Sequence, residues 1–200
     1  MNRPWLREER TGLAAERILD AAGGVFAERG VEATEMSHIA RAAGCSRATL
    51  YRYFESRQAL QVAYMHRQTH RVVDDVARRL QHLTDPRERL VEAVQAALAA
   101  VRENPVLAPW FTGADSAHTA GLADASPVLQ SLCAAFLGDP EDSDTQERAR
   151  WLLRVILSLL STPGRDPGDE RQMVERFVVP VLLAPVGRTT RDDHGCAPPV

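Results

Sequence analysis

Side chains able to contact DNA are concentrated in one short segment of the sequence. Guanidinium, hydroxyl and phenol groups stand close together there, at Arg47, Thr49, Tyr51, Arg52 and Tyr53. Hydroxyl and guanidinium groups donate hydrogen bonds to phosphates, and arginine suits the O6 and N7 acceptors of guanine in the major groove. The segment therefore predicts a DNA-reading surface. The alternative is a solvated arginine face whose tyrosines fold into the core, above all Tyr53 beside Phe54.

The residues around this segment indicate a helix-turn-helix that would present it. Thr34 and Ser46 can each cap a short helix, and Gly44 between these helices can take the left-handed conformation of a sharp turn. Ala40 is small enough to let the two helices approach closely. Ser56 can cap a longer helix that follows these two. Two short helices joined in this way have the geometry of a DNA-binding helix-turn-helix.

Charge is distributed unevenly along the chain, which has 200 residues and a net charge of -3. Residues 46–80 carry seven arginines against three acids, a net charge of +4. Residues 101–200 carry nine arginines against fourteen acids, a net charge of -5. This balance argues against a wholly basic nucleic-acid coat. If one part of the protein meets a polyanion, it is the stretch that begins near Ser46.

The sequence gives little support to secreted, membrane-spanning or zinc-binding classes. The first residues are polar and lack the apolar stretch of a signal peptide. The longest apolar run, Phe177 to Val186, is interrupted by prolines and is far short of the ~18 residues that suggest a spanning helix. We therefore expect a cytoplasmic protein with no membrane partner. Three scattered cysteines indicate free thiols rather than disulfides or zinc ligands: Cys45, Cys133 and Cys196.

Helical periodicity continues through the rest of the chain, and no strand-like alternation accompanies it. Residues 57–80 carry an apolar seam, and Asp85 before Pro86 is typical of a helix start. Residues 104–125 are broken by proline and glycine, which predicts short helix and loop. The fold class is therefore expected to be all-α. Further helices are predicted over residues 127–137, 146–160 and 169–183.

A known DNA-binding signature is found in residues 30–60, which read GVEATEMSHIARAAGCSRATLYRYFESRQAL. They resemble the helix-turn-helix of the TetR/AcrR transcriptional regulators, and the preceding ERILDAAGGVFAERG fits as well. The resemblance implies a three-helix DNA-binding domain over residues 11–71 and a helical-bundle domain for ligand binding and dimerisation over residues 72–186. The remaining tail, residues 187–200, is predicted to be disordered.

The resemblance also implies roles for individual residues. Four would lie in the major groove: Arg47, Ala48, Tyr51 and Arg52. Four would hold backbone phosphates: Thr34, Thr49, Tyr53 and Arg57. Glu35 departs from the pattern, because the family often has a second threonine there. Its charge suits the N-terminal end of a helix but would face DNA if exposed, so a phosphate contact is lost at this position.

Pairing of the last two helices is a further feature that the resemblance implies. Proteins of this family dimerise through a four-helix bundle, and both helices here are richer in apolar residues than one small core needs. A single short recognition helix also rarely supplies enough contacts for tight, specific binding. The alternative is that both helices are buried within one monomer. The predicted interface consists of Trp151, Val155, Leu159, Phe177, Val178 and Val181.

A ligand pocket is predicted near the proline-broken stretch in the middle of the chain. Its candidate lining is His66, His70, Trp110 and Phe111, which would suit an apolar or aromatic effector. Core aromatics and surface histidines are the alternative reading. His66, His70 and Asp74 have the spacing of a metal-binding stripe, but no cysteine or further carboxylate converges on them. Neither a metal nor a cofactor is expected.

The leading hypothesis for function is a ligand-responsive repressor that binds a palindromic operator as a homodimer. An activator, or a DNA-binding protein without an effector, remains open as an alternative. A helical enzyme or small-molecule carrier would leave Arg47 to Arg52 unexplained. The sequence shows no nucleophile–base pair, glycine-rich phosphate loop or cofactor fingerprint, so an enzyme is not expected.

Overall fold

The computed structural model describes residues 4–112 and 116–184, with side chains for residues 12–112 and 119–184. Every regular element in these ranges is helical, which confirms the all-α fold class. None of the described helices is long and apolar enough to cross a membrane. The tail predicted for residues 187–200 lies outside the described residues.

The helices follow one another with short connections. They are α1 (Pro4–Arg29), α2 (Met36–Ala42), α3 (Arg47–Tyr53), α4 (Arg57–Leu80), α5 (Pro86–Arg102), α6 (Ala108–Thr112), α7 (Ser116–Asp124), α8 (Pro127–Leu137), α9 (Ser143–Ser161), α10 (Pro167–Met173) and α11 (Val179–Leu182). A π-helical turn, Val174–Val178, connects α10 to α11.

Helices α1 to α3 form the head of the protein. Phe26 of α1, Ile39 of α2 and Leu50 of α3 are buried in the same apolar cluster. Gly44, between α2 and α3, has a φ of 67°, which is the left-handed conformation that the sequence predicts for a sharp turn. The head is therefore a helix-turn-helix with α3 as its second short helix.

The predicted helix caps are confirmed at three starts and wrong at one. Side-chain oxygens of Ser46, Ser56 and Asp85 accept the backbone N–H three residues further on. Helix α2, by contrast, starts after Glu35 and not after Thr34. Thr34 is fully buried, and its hydroxyl donates to the carbonyl of Gly30 at 2.6 Å, so it closes the end of α1 instead.

Helices α4 to α11 form the body of the protein. Helix α9 lies at the centre of the body, where it packs against α5, α6, α7 and α8. Helix α4 contacts α1 in the head and both α5 and α8 in the body, so it connects the two parts. Arg67 of α4 strengthens the contact between α4 and α1 through ion pairs to Glu16 at 3.1 Å and Asp20 at 2.9 Å.

A buried ion pair ties the end of α5 to the start of α10. Glu170 is 2% exposed and accepts hydrogen bonds from Arg102 at 2.7 and 2.8 Å. The N–H of Gly164 donates to the same carboxylate at 2.8 Å, and Arg102 also donates to the carbonyl of Leu159 at 2.8 Å. These contacts join three segments of the body, and the hydrogen bonds from Arg102 lower the pKa of Glu170.

The helix predicted over residues 169–183 spans α10, the π-helical turn and α11 without a break. Pro180, in α11, has no N–H and cannot donate to the carbonyl of Arg176 four residues earlier. A missing bond of this kind gives a physical reason for the π-helical hydrogen bonding just before the proline.

Candidate DNA-binding surface, effector cavity and dimer face

Helix α3 presents an exposed polar surface above a buried anchor. Arg47, Ala48, Tyr51 and Arg52 are all exposed, whereas Leu50 has no exposed surface. The four residues expected in the major groove are therefore accessible on one short helix. A guanidinium and a phenol at such positions can reach base edges and phosphate oxygens.

Two further residues of α3, Thr49 and Tyr53, make contacts within the protein. The backbone N–H of Thr49 donates to the Ser46 hydroxyl at 3.0 Å, and the two side-chain hydroxyls lie 2.9 Å apart. Tyr53 is half-buried against the core, and the guanidinium of Arg52 lies 5.5 Å from its ring centroid. The ring of Tyr53 therefore packs partly against the core and supports Arg52 through a cation–π contact, while the residue keeps some exposure to solvent.

Two of the residues predicted to contact phosphates make hydrogen bonds within the head, and for Thr34 this excludes the predicted contact. The hydroxyl of Thr34 is buried and already bonded to Gly30, so it is not free to bind a phosphate. Arg57 donates to the carbonyls of Val31 and Glu32, both at 3.0 Å, and lies 3.5 Å from the Glu32 carboxylate. Arg57 therefore fixes the start of α4 against the connection between α1 and α2.

The contacts of Glu35 explain how an acid is accommodated at the N-terminal end of α2. Its backbone N–H donates to Nδ1 of His38 at 3.2 Å, and its carboxylate accepts the Ser37 hydroxyl at 3.0 Å. The residue is exposed at the N-terminal end of the helix. It acts as a helix cap, where its charge is favourable. The capping pattern with His38 is a local signal that sequence reasoning missed.

The body contains an apolar cavity of about 370 Å³ between α4, α5, α8 and α9. Trp110 and Phe111 are buried and line it, which agrees with the sequence analysis. A cavity of this size falls within the range of roughly 300–1,000 Å³ that is common for small-molecule sites. The indole N–H of Trp110 has no hydrogen-bond partner among the described residues.

The two histidines predicted to line this pocket do not line the cavity. Nε2 of His66 lies 2.7 Å from the hydroxyl of Ser126, and His70 is exposed. Burial lowers the pKa of His66, and the charge of nearby His70 lowers it further. His66 is therefore a structural contact to the start of α8. The described residues also include no group of three or more potential metal ligands.

Cys133 does line the cavity, but its thiol is a poor nucleophile. Burial raises its pKa to about 11, so the thiol stays protonated at neutral pH. Cys45 and Cys133 are both free, as the sequence indicates, and Cys196 lies outside the described residues.

An aromatic cluster joins the cavity to the head. The ring centroid of Trp110 lies 5.8 Å from that of Tyr64 on α4 and 5.4 Å from that of Phe26 on α1. Phe26 and Tyr64 contact each other edge to face at 5.3 Å. The cluster therefore links the cavity lining to α1 of the head and to α4, which connects head and body.

The final helices carry an exposed apolar face. Four large apolar side chains are accessible on α9 to α11: Trp151 (47% exposed), Met173 (43%), Phe177 (65%) and Val181 (56%). Val155 is half-buried. Leu159 and Val178 are buried within the monomer, so these two do not belong to an exposed interface. Met173 was missed because its hydrophobicity alone does not show which side of the helix is exposed.

An exposed arginine-bearing helix in a helix-turn-helix, followed by a helical body with a cavity, defines a DNA-binding regulator of the helix-turn-helix class. Residues 18–64 match the family model described as bacterial regulatory proteins, tetR family. An uncharacterized HTH-type transcriptional regulator of Mycobacterium tuberculosis is 48% identical over 193 residues, which cover 95% of this chain and 96% of the relative. The chain belongs to the TetR family of transcriptional regulators.

Two other relatives extend the comparison. The HTH-type transcriptional repressor KstR of Mycolicibacterium smegmatis is 32% identical over 150 residues, which cover 72% of this chain and 74% of that protein. The crystal structure of Thermus thermophilus FadR, a TetR-family transcriptional repressor in complex with lauroyl-CoA, superposes with a TM-score of 0.60. Its sequence is 25% identical, and the match covers 87% of this chain and 97% of FadR. The protein is thus a DNA-binding transcriptional regulator.

Proposed function

We propose that this regulator is a ligand-responsive repressor that acts in the cytoplasm as a homodimer on a palindromic operator. One observation carries the proposal: α4 begins directly after α3 and continues along the wall of the apolar cavity. Helix α4 therefore connects a ligand in the cavity to the DNA that α3 would bind. The relatives KstR and FadR, both named as repressors, support this direction of control.

DNA reading is assigned to the accessible residues of α3. Arg47, Ala48, Tyr51 and Arg52 would enter the major groove, and Thr49 with Tyr53 would lie near backbone phosphates. Thr34 is left out of this set because its hydroxyl is buried and bonded within the head. Arg57 stays in it, because its side chain is 37% exposed and only one of its guanidinium nitrogens is bonded within the head. The exposed face of α9 to α11 would pair two chains and so set the spacing of two recognition helices at one turn of DNA or a multiple of it.

Substitution of Arg52 by alanine should weaken operator binding by about 1–3 kcal/mol and relax base preference at one position of each half-site. The variant lacks the exposed guanidinium and therefore loses its bidentate contact with a base. Arg79→Ala is the matched control, because Arg79 is also exposed but lies near the far end of α4. Selection of an operator from random DNA, followed by titration of each variant, measures both effects. Equal binding by all three proteins would remove Arg52 from the reading surface.

Ligand response requires that the effector prefer the DNA-free form. Hundredfold release of the operator needs about 2.7 kcal/mol of such preference, and operator DNA must then weaken the ligand by the same factor. Lauroyl-CoA and 1-dodecanol are suitable first probes, since FadR is seen with the former and the cavity is apolar. Calorimetric titration with and without operator measures both directions. Equal ligand affinity in the two titrations would exclude that compound as an inducer.

The location of the ligand can be tested in the same assay. Trp110→Ala should reduce ligand affinity, and Val76→Phe should block the cavity by filling it, because both residues line it. His70→Ala is the control, since His70 is exposed and outside the lining. Thermal unfolding identifies any variant that has lost its fold. Ligand binding unchanged in both cavity variants would place the ligand elsewhere.

A further inference from the structure

The exposed residues of the cavity lining indicate where the cavity opens. Among its lining residues only Ala77, Gln81 and Arg89 are exposed, and they lie near the end of α4 and the start of α5. At the other end, Trp110 and Leu157 are buried. A ligand would therefore enter between the end of α4 and the start of α5 and extend inward toward the aromatic cluster formed by Phe26, Tyr64 and Trp110.

The opening and the interior differ in charge. Arg89 is the one charged residue among those that line the cavity, and it is one of the three at the opening. Its guanidinium lies 5.8 Å from the ring centroid of Phe136, which also lines the cavity. Within the part of the chain that the structure describes, no carboxylate forms an ion pair with it. The cation is thus held beside the opening and is available to an anion.

We infer that the effector is an amphiphile, with its apolar part inside the cavity and an anionic group at Arg89. This inference rests on the proposed function, because it names the ligand class of the proposed effector site. The interior offers few partners for a charged group, and burial of an unpaired charge there would be strongly unfavourable. At the opening, an anion stays partly hydrated and gains charge-assisted hydrogen bonds from a guanidinium.

Two kinds of molecule share this chemistry. A free long-chain carboxylate would bring its own head group to Arg89, and a long-chain acyl thioester of coenzyme A would bring phosphate groups instead. Both place the hydrocarbon inside and the negative charge at the opening. Dodecanoate and lauroyl-CoA represent the two sources with tails of equal length, and 1-dodecanol provides the same tail without a charge.

Variants of Arg89 separate the charge from the packing of the side chain. Arg89→Met keeps an apolar stem against Phe136 and removes the charge, whereas Arg89→Lys keeps the charge and loses the planar guanidinium. Arg87→Met is the matched control, because Arg87 is an exposed arginine of the same helical turn that does not line the cavity. Isothermal titration of the full-length protein with the three probes gives affinities for each variant.

We expect Arg89→Met to weaken dodecanoate or lauroyl-CoA, or both, by about tenfold, the usual worth of a hydrogen bond to a charged group. Arg89→Lys should retain much of the affinity for whichever probe is affected. Binding of 1-dodecanol should stay unchanged in every variant, and Arg87→Met should match the wild type throughout. The probe that loses affinity identifies the source of the anionic group.

Two results would overturn the inference. Equal loss for 1-dodecanol and the anionic probes would show that Arg89 acts through packing alone. Equal affinities of wild type and Arg89→Met for both anionic probes would show that the charge has no role. Operator titrations without ligand test the proposed function separately. If 1-dodecanol released the operator and Arg89 had no effect on that release, the proposed ligand-responsive repressor would be supported. The anionic effector would then be excluded.

Discussion

Replacement of Phe177 and Val181 together by arginine is expected to give folded monomers that no longer bind an operator tightly. These side chains are 65% and 56% exposed, so the monomer can accommodate the charges in water. At a dimer interface, however, four arginines would be brought close together, and the apolar contact would be lost. A monomer offers one recognition helix in place of two, which lowers affinity by the whole contribution of the second half-site.

Sedimentation equilibrium and operator titration check this prediction together. Leu13→Arg is the matched control, because Leu13 is an equally exposed apolar residue on α1, 67% exposed and away from the final helices. It should remain dimeric. Leu159 and Val178 are unsuitable positions because both are buried, and a charge there would disrupt the monomer itself. A wild-type protein that is monomeric at tens of micromolar would contradict the proposed dimer.

Loss of the Glu170 carboxylate should produce the largest effect on stability. Glu170→Ala removes the partner of Arg102 and the acceptor for the Gly164 N–H. Breaking a buried pair typically costs about 3–5 kcal/mol, and we expect the lower end because a third of the Arg102 side chain is exposed. Glu175→Ala is the control: its pair with Arg171 lies at the surface, and its loss should cost under ~1 kcal/mol. Urea unfolding measures both.

The same pair predicts how stability depends on pH. Hydrogen bonds from Arg102 hold the pKa of Glu170 below its ordinary value of 4.5 in the folded state. Between the lowered pKa of the folded state and the ordinary pKa, the folded state therefore binds fewer protons than the unfolded chain. The stabilisation is present above the ordinary pKa and is lost as the pH falls through it toward the lower folded-state pKa. Glu170→Gln should flatten this part of the stability curve. An unchanged curve in that variant would show that Glu170 does not titrate as described.

The elements set by local chemistry could be predicted from the sequence. Ser46, Ser56 and Asp85 cap their helices with their own side chains, and Gly44 makes the turn because it lacks a Cβ. Each of these signals is complete within four residues. The turn between α2 and α3 and the starts of α3, α4 and α5 were therefore predictable. Thr34 was the exception, because its choice between capping α2 and closing α1 depends on burial.

The candidate effector site and the candidate dimer face were less predictable because they depend on contacts between distant segments. His66 was expected in the pocket, but its partner Ser126 is sixty residues away. The apolar residues of the last helices posed a similar problem, since Val178 and Phe177 are adjacent and only one is buried. Hydrophobicity indicates that such side chains favour burial. It does not show whether they pack within one chain or against a second one.

The π-helical turn before Pro180 has a consequence for the winding of the final helix. An α-helix has 3.6 residues per turn, so residues four apart advance by about 40° around its axis. Met173, Phe177 and Val181 are spaced by four and would drift by about 80° along an uninterrupted α-helix. The wider π-helical turn lies between the first and the last of them and unwinds part of this drift. All three are accordingly exposed, while Val174, Val178 and Leu182, also spaced by four, are buried.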